Sequence, residues 1–466
     1  MAFYNGPYKN FLKSSMFPSN LDIKFTRFWV RNFKSLRDIE LELRDFNLLV
    51  GPNASGKTNI VEVFKLLRKI YSPESRVINP FLEWWGYTNV VWRGLEELPI
   101  TLGLELAIQK YIVRFEVMIT GAGGRFEVLR ESLEIVGYVK VTRDGSSFIV
   151  EHERDFIEHI WEKIRELSQE RQAISKLLFS RPQVSKIDIS NDIGHPLAIR
   201  GMSATYKTDV ALVRPYVPVV EGEKEPLLLS PIIKTHIIFK RGGKINWESH
   251  VEPLFTYLLG ILRFPRLICL RQFTFSEIRK PQLVRGESIL SEDCSNLSNV
   301  FHTIFMEKGL PERVQAALDA IFSRNGSNIS IRPELTSDGR VYIKVLEDGL
   351  ELEPTMVADG LWKVLGIILA IETKPILIVI DELENSLHPL ALEYIVNELK
   401  NAGCTVIATT HSPAVVDIVE PEDLVLVDRD EEGATQVKRI SDPEALRRWM
   451  VERGVTLSES WLYGRP

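Results

Sequence analysis

The sequence contains few cysteines and no long apolar run. Its 466 residues include three cysteines, which lie far apart and form no C-x-x-C pair, so neither a zinc site nor a disulfide framework is indicated. A membrane-spanning helix needs about 20 consecutive apolar residues, whereas the longest apolar segment, residues 361–380, is interrupted by Lys363, Glu372 and Lys374. No apolar core typical of a signal peptide follows the basic residues near the N-terminus. We therefore expect a soluble, cytoplasmic protein without membrane contact.

The formal net charge of −6 gives no indication of nucleic-acid binding, but the charges are unevenly distributed. Residues 234–285 contain ten Lys or Arg and three Asp or Glu, whereas residues 381–432 contain thirteen acidic and two basic residues. A basic region of this kind is typical of a surface that binds DNA. It is equally typical of a solvated surface whose charges form local ion pairs, and the sequence leaves both interpretations open.

One segment has the form of a phosphate-binding loop. Residues 51–58 read GPNASGKT, which fits G-x-x-x-x-G-K-[ST], between a predicted strand at 46–50 and a predicted helix from residue 59. Backbone N–H groups of such a loop form an anion nest at the positive end of the helix. We therefore predict a nucleoside triphosphate and Mg²⁺ as ligands, with Lys57 on the β- and γ-phosphates and Thr58 on the metal. The predicted nucleotide contacts of this loop are Gly51, Pro52, Asn53, Ala54, Ser55, Gly56, Lys57, Thr58 and Asn59.

Two further strands end in residues suited to phosphoryl transfer. Residues 375–380 form a continuous apolar run typical of a buried parallel strand, and Asp381 and Glu382 follow it. The first carboxylate suits Mg²⁺, and the second suits the orientation of an attacking water. A second buried strand at 405–410 ends at His411, whose imidazole could bind a γ-phosphate or that water. Exposed acids at a strand end and a structural histidine are the alternatives.

The pattern along the chain predicts four regions. Residues 1–20 have no clear period and are predicted to be an arm, and residues 21–150 contain mainly strands around the phosphate-binding loop. Helical spacing begins near Asp155 and predicts a helix of about 25 residues, so we assign 151–325 to a mostly helical insertion. Residues 326–466 complete the nucleotide-binding unit, beginning with a predicted hairpin. Within the insertion, further helices are predicted at 251–262, 297–306 and 312–324.

The order of RNFKSL, GPNASGKT, IVIDELENSLHP and TTHSP resembles the ABC-type ATPase heads of the RecF/SMC/OLD group. This is a branch of the AAA family often found in defence and toxin–antitoxin settings. The resemblance implies an α/β fold, a P-loop NTPase head of the ABC-ATPase type with an inserted, mostly helical domain. It also implies that Lys57 and Thr58 belong to Walker A, that Asp381 is the Walker B acid and a Mg²⁺ ligand, that Glu382 is the catalytic carboxylate, and that His411 is the switch histidine.

The same resemblance implies a homodimer held by sandwiched nucleotides. Residues 385–388 occupy the D-loop position, and residues 357–360 occupy the signature position, which in this group closes on the γ-phosphate bound by the second subunit. Asp359 and Gly360 are thereby assigned to the nucleotide, although Asp359 is expected to cap the following helix, because like charges repel. The usual signature serine is Ala358 here, and no Q-loop glutamine is assigned. We therefore expect a slow ATPase or a nucleotide switch.

Two functions fit these observations. The first is an ATP-gated homodimer acting in DNA-related processes such as repair or anti-phage defence, with DNA bound through residues 234–285. The alternative is a regulatory ATPase that controls a separate effector protein, a toxin or a nuclease, without binding DNA. A transporter ATPase fits poorly, because the insertion is large and the signature serine is absent.

A C-terminal nuclease domain of the TOPRIM kind is not expected in this chain. After His411 only 55 residues remain, whereas a domain needs about 100. Asp428 and Asp430 form a D-x-D pair, which we interpret as a strand-end turn rather than a metal site.

Overall fold

A computed structural model describes residues 23–71, 79–108, 111–137, 139–144, 147–152, 185–188, 210–214, 236–241, 244–249, 267–323 and 328–462. The strands, in chain order, are β1 (Ile23–Phe33), β2 (Leu36–Glu42), β3 (Phe46–Val50), β4 (Ile100–Ile108), β5 (Tyr111–Thr120), β6 (Glu127–Ile135), β7 (Val139–Asp144), β8 (Ser147–His152), β9 (Ser185–Asp188), β10 (Val210–Arg214), β11 (His236–Arg241), β12 (Lys244–Ser249), β13 (Leu267–Leu270), β14 (Gln282–Leu283), β15 (Ile329–Leu335), β16 (Arg340–Glu347), β17 (Leu350–Leu352), β18 (Leu377–Ile380), β19 (Thr405–Thr410), β20 (Leu424–Arg429) and β21 (Thr435–Arg439). The helices are α1 (Lys57–Tyr71), α2 (Phe275–Ile278), α3 (Leu297–Lys308), α4 (Glu312–Ile321), α5 (Asp359–Glu372), α6 (Pro389–Lys400), α7 (Pro413–Val416), α8 (Pro443–Arg453) and α9 (Leu457–Leu462).

The central sheet joins segments from distant parts of the chain. Its order is β13-β18-β19-β3-β20-β21, and all neighbours are parallel except the last pair. The strands β3, β18 and β19 are buried at every residue, as their continuous apolar sequences predicted. The carboxyl ends of parallel strands meet at one edge, so the residues that follow β3, β18 and β19 lie together there.

Each face of this sheet carries its own apolar core. On one face, Leu49, Val379 and Ile407 pack in a core that includes the apolar side of α1 and strands β1, β2, β4 and β5. On the other face, Leu48 and Ile380 pack in a core that includes α3, α4, α5 and α6. Helix α1 therefore lies between the central sheet and a second, antiparallel sheet, which fixes the direction in which its N-terminus points.

The second sheet has the order β2-β1-β4-β5-β6-β7-β8-β9, and its neighbours are antiparallel. The alternating sequences of β1, β2, β5 and β6 bury every second residue over most of their length, which is the period expected of half-buried strands. A predicted hairpin is also confirmed, since β15 and β16 pair around a turn in which Gly339 has φ of 77°. The fold is thus the predicted mixed α/β P-loop NTPase fold.

The inserted helical domain is not confirmed. The helix predicted from Asp155 and the one at 251–262 lie outside the described residues, and the parts of 151–266 that the structure describes are strands. Residues 267–323, which we assigned to the insertion, belong to the head instead: β13 pairs with β18, and α3 and α4 pack in the same core as α5. The four-residue run of β13 is too short to be distinguished by pattern alone.

Across the described ranges, no helix is both long enough and apolar enough to cross a bilayer.

Candidate nucleotide-binding site

The loop between β3 and α1 is held in the shape that an anion nest requires. Ala54 and Gly56 have positive φ values of 64° and 111°, a conformation that costs a side-chain-bearing residue free energy. A Cβ atom on Gly51 would lie 1.9 Å from the carbonyl oxygen of Val427, and one on Gly56 would lie 2.0 Å from Oγ1 of Thr435. Both motif glycines are therefore required by close contact with β20 and β21.

The predicted phosphate contacts occupy this loop and the first turn of α1. Pro52, Asn53 and Ala54 are exposed at its tip, Gly51, Ser55 and Gly56 are buried, and Thr58 and Asn59 are half-buried on α1. Hydroxyl groups are ligands that suit Mg²⁺, and the metal role of Thr58 stays a prediction.

Lys57 is buried and folds back over the loop. Its Nζ donates hydrogen bonds of 2.7 and 2.9 Å to the carbonyl oxygens of Gly51 and Pro52. Burial lowers the pKa of Lys57 to about 8, although the charges of Asp381, Glu384 and Glu382 act in the opposite direction. The ammonium group is thus buried where a triphosphate is predicted to lie, and the charges of these three carboxylates favour its charged form.

A chain of side-chain hydrogen bonds supports the loop from beneath. Asn59 Nδ2 donates to Ser35 Oγ (2.6 Å), Ser35 Oγ lies 2.7 Å from Thr435 Oγ1, and Thr435 Oγ1 donates to the carbonyl oxygen of Ser55 (2.9 Å). Because Thr435 uses its proton on Ser55, Ser35 donates to Thr435. We call Ser35, Asn59 and Thr435 the hydroxyl clasp; it joins the β1–β2 turn, α1 and β21 to the loop.

Asp381 lies at the carboxyl end of β18, as predicted. It is buried, and its Oδ1 accepts a 2.7 Å hydrogen bond from Thr409 Oγ1. Its Oδ2 lies 3.8 Å from Arg271 Nε. Burial raises the pKa of Asp381, while the bond from Thr409 and the charge of Arg271 oppose this shift. A buried carboxylate at the end of this strand suits a divalent cation.

Arg271 is a site residue that the sequence did not predict. It follows β13 and connects Asp381 to a group of buried charges, since its NH1 lies 3.2 Å from Glu62 Oε1. Glu62 on α1 also pairs with Lys34 of the RNFKSL segment and accepts a 3.2 Å hydrogen bond from Trp84 Nε1. This network fixes the Walker B acid relative to α1.

The next residue, Gln272, is exposed at the same edge of the sheet. It follows β13, which pairs with the Walker B strand in register, Leu270 beside Ile380. The sequence left the Q-loop glutamine unassigned, and this position fits one because it projects from the carboxyl edge beside Asp381. The signal was present as the apolar run Leu267–Leu270 followed by Arg and Gln, but this run is short.

Glu382 has a conformation that is uncommon for a residue with a side chain, with φ of 50°. Its backbone N–H donates to Thr409 Oγ1 (2.8 Å), and its carbonyl oxygen accepts from Lys363 Nζ (2.9 Å). Its carboxylate accepts a hydrogen bond from Asn385 Nδ2. Strained positions of this kind persist only when their surroundings hold them, and here Thr409 and Lys363 hold the two backbone polar groups.

His411 follows β19, which lies between β18, the strand before Asp381, and β3, the strand before the phosphate-binding loop. Its backbone N–H donates a 2.7 Å hydrogen bond to Glu384 Oε1, and Thr410 Oγ1 donates to Glu384 Oε2 (2.9 Å). Glu384 therefore connects the segment after β18 to the end of β19. The sequence predicted the histidine, whereas the role of Glu384 emerges only from the structure.

The signature loop differs from the prediction in one respect. Asp359 does not cap α5: Ala358 is the N-cap residue, without a side-chain hydrogen bond, and Asp359 lies in the first turn. Arg279 donates a 2.6 Å hydrogen bond to the Asp359 carboxylate and another to the carbonyl oxygen of Val357 (2.9 Å). An arginine 80 residues away competes for the carboxylate more strongly than the local backbone does, because that pair is charge-assisted.

Gly360 places the signature loop against the D-loop. A Cβ atom on Gly360 would lie 2.9 Å from the carbonyl oxygen of Ser386, which itself has φ of 62°. The D-loop residues Asn385, Ser386 and His388 are exposed. The start of α5 and the D-loop thus form one continuous exposed surface.

The sequence contains two other features of interest, the D-x-D pair and the basic region. Asp430 lies in the turn between β20 and β21, where its carboxylate accepts from the backbone N–H groups of Glu432 (3.0 Å) and Ala434 (2.8 Å), as expected of a strand-end turn. The side chains of the basic region between residues 234 and 266 lie outside the described residues, so the structure does not test the proposed DNA contacts there.

Two family models match the chain. Residues 24–83 match a model described as an AAA ATPase domain, and residues 285–417 match one described as AAA domain, putative AbiEii toxin, Type IV TA system. The first segment contains Lys57, and the second contains the signature loop, Asp381 and His411. No curated protein sequence matches the chain. Each model covers less than half of the chain, and both describe AAA-type ATPase domains, so the chain is similar to that class in the two segments that carry the nucleotide-binding motifs.

Solved structures with a similar fold include SMC head domains. The head domain from Thermotoga maritima has 12% sequence identity and a TM-score of 0.40, covering 90% of this chain and 100% of that one. The SMC head bound to the C-winged helix domain of ScpA has 11% sequence identity and a TM-score of 0.41, covering 91% of this chain and 99% of that one. A third structure is an SMC head with an extended coiled coil from Pyrococcus furiosus, bound to the C-terminal domain of ScpA. It has 11% sequence identity and a TM-score of 0.43, covering 92% of this chain and 100% of that one.

Removal of the hydroxyl of Thr435 should loosen the loop without unfolding the head. We expect Thr435→Val to weaken Mg-ATP binding about fivefold to thirtyfold, because an unsatisfied buried acceptor at Ser55 costs about 1–2 kcal/mol. Calorimetric titration of the purified protein measures the affinity. Thr405→Val is the matched control: its buried hydroxyl accepts from the backbone N–H of Phe25 (3.0 Å) at the other end of β19. Equal affinities for both variants and the wild type would disprove the role of the clasp.

The pKa of Lys57 predicts the pH dependence of nucleotide binding. The charged ammonium binds phosphate, so a pKa of about 8 in the free protein leaves this form dominant below pH 8 and depleted above it. We expect ATP affinity to fall above about pH 8, by up to about tenfold per pH unit, with proton uptake on binding. Titrations in buffers of different ionisation enthalpy measure both. Lys57→Ala should bind weakly at every pH, and an unchanged wild-type affinity up to about pH 9.5 would contradict the prediction.

Proposed function

We propose that this protein binds and hydrolyses ATP, and that its working state is a homodimer with nucleotide sandwiched between two heads. The observation that carries the first part is the convergence of Lys57, Asp381, Glu382 and Glu384, whose charges act on one another at the carboxyl edge of the central sheet. The ATPase family models support hydrolysis as a general property of such domains.

The residues have separate roles in this reaction. The loop N–H groups and Lys57 bind the β- and γ-phosphates, and Thr58 and Asp381 would hold Mg²⁺, which when bound neutralises phosphate charge. Glu382 orients and polarises the attacking water, and His411 binds the γ-phosphate or that water. Gln272 lies at the same edge of the central sheet and would be a further contact of the nucleotide. The absence of a signature hydroxyl at Ala358 favours slow turnover.

The dimer is supported by the surface formed by the signature loop and the D-loop. Met356, just before the signature loop, is 70% exposed, and Asn385, Ser386 and His388 are exposed beside Gly360. The N-terminus of α5 adds a partial positive charge to this surface. In a sandwich, Asp359 and Gly360 of one head would face the γ-phosphate held by the other head, and backbone N–H groups would make the contact.

Variants of the two Walker motifs test the dimer. Glu382→Gln should accumulate an ATP-bound dimer, because the amide keeps the shape of the side chain but polarises water poorly. Lys57→Ala should remain monomeric, because the phosphates lose their main charge partner. Sedimentation velocity with and without Mg-ATP measures both masses, and Mg-ADP is the nucleotide control. If both variants have the same mass under all conditions, ATP does not gate dimer formation.

Two processes remain as targets of the ATP cycle. The excess of basic residues in 234–285 favours DNA, and we propose a role in DNA-related processes such as repair or anti-phage defence. The description of the second family model, a putative AbiEii toxin of a type IV toxin–antitoxin system, favours the alternative. In that case the protein is a regulatory ATPase, and its partner is an effector protein such as a toxin or a nuclease.

The rate of ATP hydrolysis with and without double-stranded DNA, at two salt concentrations, separates the two targets. If DNA is the target, we expect stimulation that fades as salt rises, because DNA binding releases counterions. Lys240, Arg241 and Lys244 lie in the basic region, so their combined replacement by Gln should abolish this stimulation while leaving the basal rate. A slow rate that is indifferent to DNA at both salt concentrations would contradict DNA binding and support control of a separate effector.

A further inference from the structure

Helix α5 carries a buried lysine whose role the nucleotide contacts do not explain. Lys363 is 3% exposed, and the residues on both sides of it, Trp362 and Val364, are buried apolar residues. Its Nζ lies 5.6 Å from the centroid of the Phe273 ring. Burial lowers the pKa of Lys363 to about 8. Burying an ammonium group costs free energy, so an apolar residue would serve better if packing were the only requirement.

Within the described residues, this ammonium donates a hydrogen bond to the segment that carries Glu382. Lys363 Nζ donates 2.9 Å to the Glu382 carbonyl oxygen, at the residue where the backbone has a positive φ of 50°. Thr409 holds the same segment from the other side: its Oγ1 accepts from the Glu382 N–H (2.8 Å), and its carbonyl oxygen accepts from the Leu383 N–H (3.0 Å). The Glu382 segment is therefore held on one side by a residue of the central sheet, Thr409 in β19, and on the other side by a residue of a helix, Lys363 in α5.

The helix that carries Lys363 also begins at the signature loop. Gly360 lies one turn before Lys363 and contacts the carbonyl oxygen of Ser386 closely enough to exclude a side chain. Helix α5 therefore contacts the segment 382–386 at two points, one on its exposed end and one in the buried interior. A shift or rotation of α5 would act on the backbone of Glu382 through both.

We propose that Lys363 is a positioning residue: its ammonium group holds the backbone of Glu382 in the productive conformation and couples that carboxylate to the position of α5. Docking of another molecule against the exposed start of α5 would then be transmitted to the carboxylate that polarises water. This inference rests on the proposed function, because the role of Glu382 is assigned there.

The test compares Lys363→Met, which keeps the length of the side chain but removes the charge and the donor, with the wild type. We expect kcat to fall at least about tenfold, because orientation of the attacking water is lost. The affinity for a non-hydrolysable ATP analogue should stay within about twofold, since the loop and Lys57 are untouched. Lys363→Arg keeps a charged donor and should recover part of kcat.

A second measurement follows the backbone itself. Amide hydrogen exchange of residues 381–387 should increase in Lys363→Met, because the Glu382 carbonyl loses its partner, while exchange in α1 and β3 should not change. Lys344→Met is the matched control. Lys344 is less buried than Lys363, with a side chain that is 12% exposed and ion pairs to Glu334 and Glu351 at 2.8 and 3.1 Å, and it lies on the β15–β17 hairpin.

Several outcomes would overturn the proposal. A kcat within about twofold of the wild type would show that Glu382 needs no support from α5. Parallel losses of kcat and of analogue affinity, with raised exchange throughout the head, would show a general packing role. A wild-type protein without ATPase activity would refute the proposed function separately. The exchange measurement would still decide the role of Lys363, and unchanged exchange at 381–387 would disprove it.

Discussion

The nucleotide site depends on the position of β3 between β19 and β20. Parallel pairing sets Val50 beside Thr410 on one side and beside Leu426 on the other. The phosphate-binding loop therefore leaves the sheet next to the end of β19, where His411 follows, and against β20, where Gly51 meets the carbonyl of Val427. No local preference of the loop sequence creates this arrangement. It follows from the burial of β3 on both faces and both edges, which the two apolar cores stabilise.

Charged groups are buried at this edge of the sheet. Burial raises the pKa of Asp381 and lowers that of Lys57, so both shifts favour the neutral forms. A divalent cation beside the carboxylate and a phosphate beside the ammonium would each favour the charged form. In the proposed complex, part of the binding energy of Mg-ATP would offset this desolvation cost, while the hydroxyl clasp and Arg271 hold the groups in place.

The sequence predicted the residues whose positions follow from strand ends. Asp381 and Glu382 follow the continuous apolar run of β18, His411 follows β19, and Lys57 follows the loop that begins at the end of β3. Buried parallel strands have carboxyl ends that meet at one edge of the sheet. The fold class was implied by the resemblance to ABC-type ATPase heads, and the apolar runs and alternating strands agree with it.

The remaining site residues could not be predicted because their contacts are distant in the sequence. The hydroxyls of Ser35 and Thr435 meet across 400 residues, and Arg279 reaches Asp359 across 80. Helix-capping preferences predicted Asp359 as a helix cap, but its carboxylate instead accepts a hydrogen bond from Arg279 of another segment. Arg271 and Gln272 follow a strand of four residues, which is too short to be predicted from its pattern. Because this strand was missed, the predicted end of the insertion lies too late in the sequence.

The contact between Ser55 and Thr435, 380 residues apart, also has a consequence for synthesis of the protein on the ribosome. At 5–20 residues per second, the loop leaves the ribosome roughly 20 to 80 s before its last neighbour is made. During most of this interval β3 has neither of its pairing strands, because β19 and β20 are made only near its end, and its open edges resemble an unprotected sheet edge. A prematurely ended chain lacks β21, so it cannot form the hydrogen bond that Thr435 donates to the loop at Ser55.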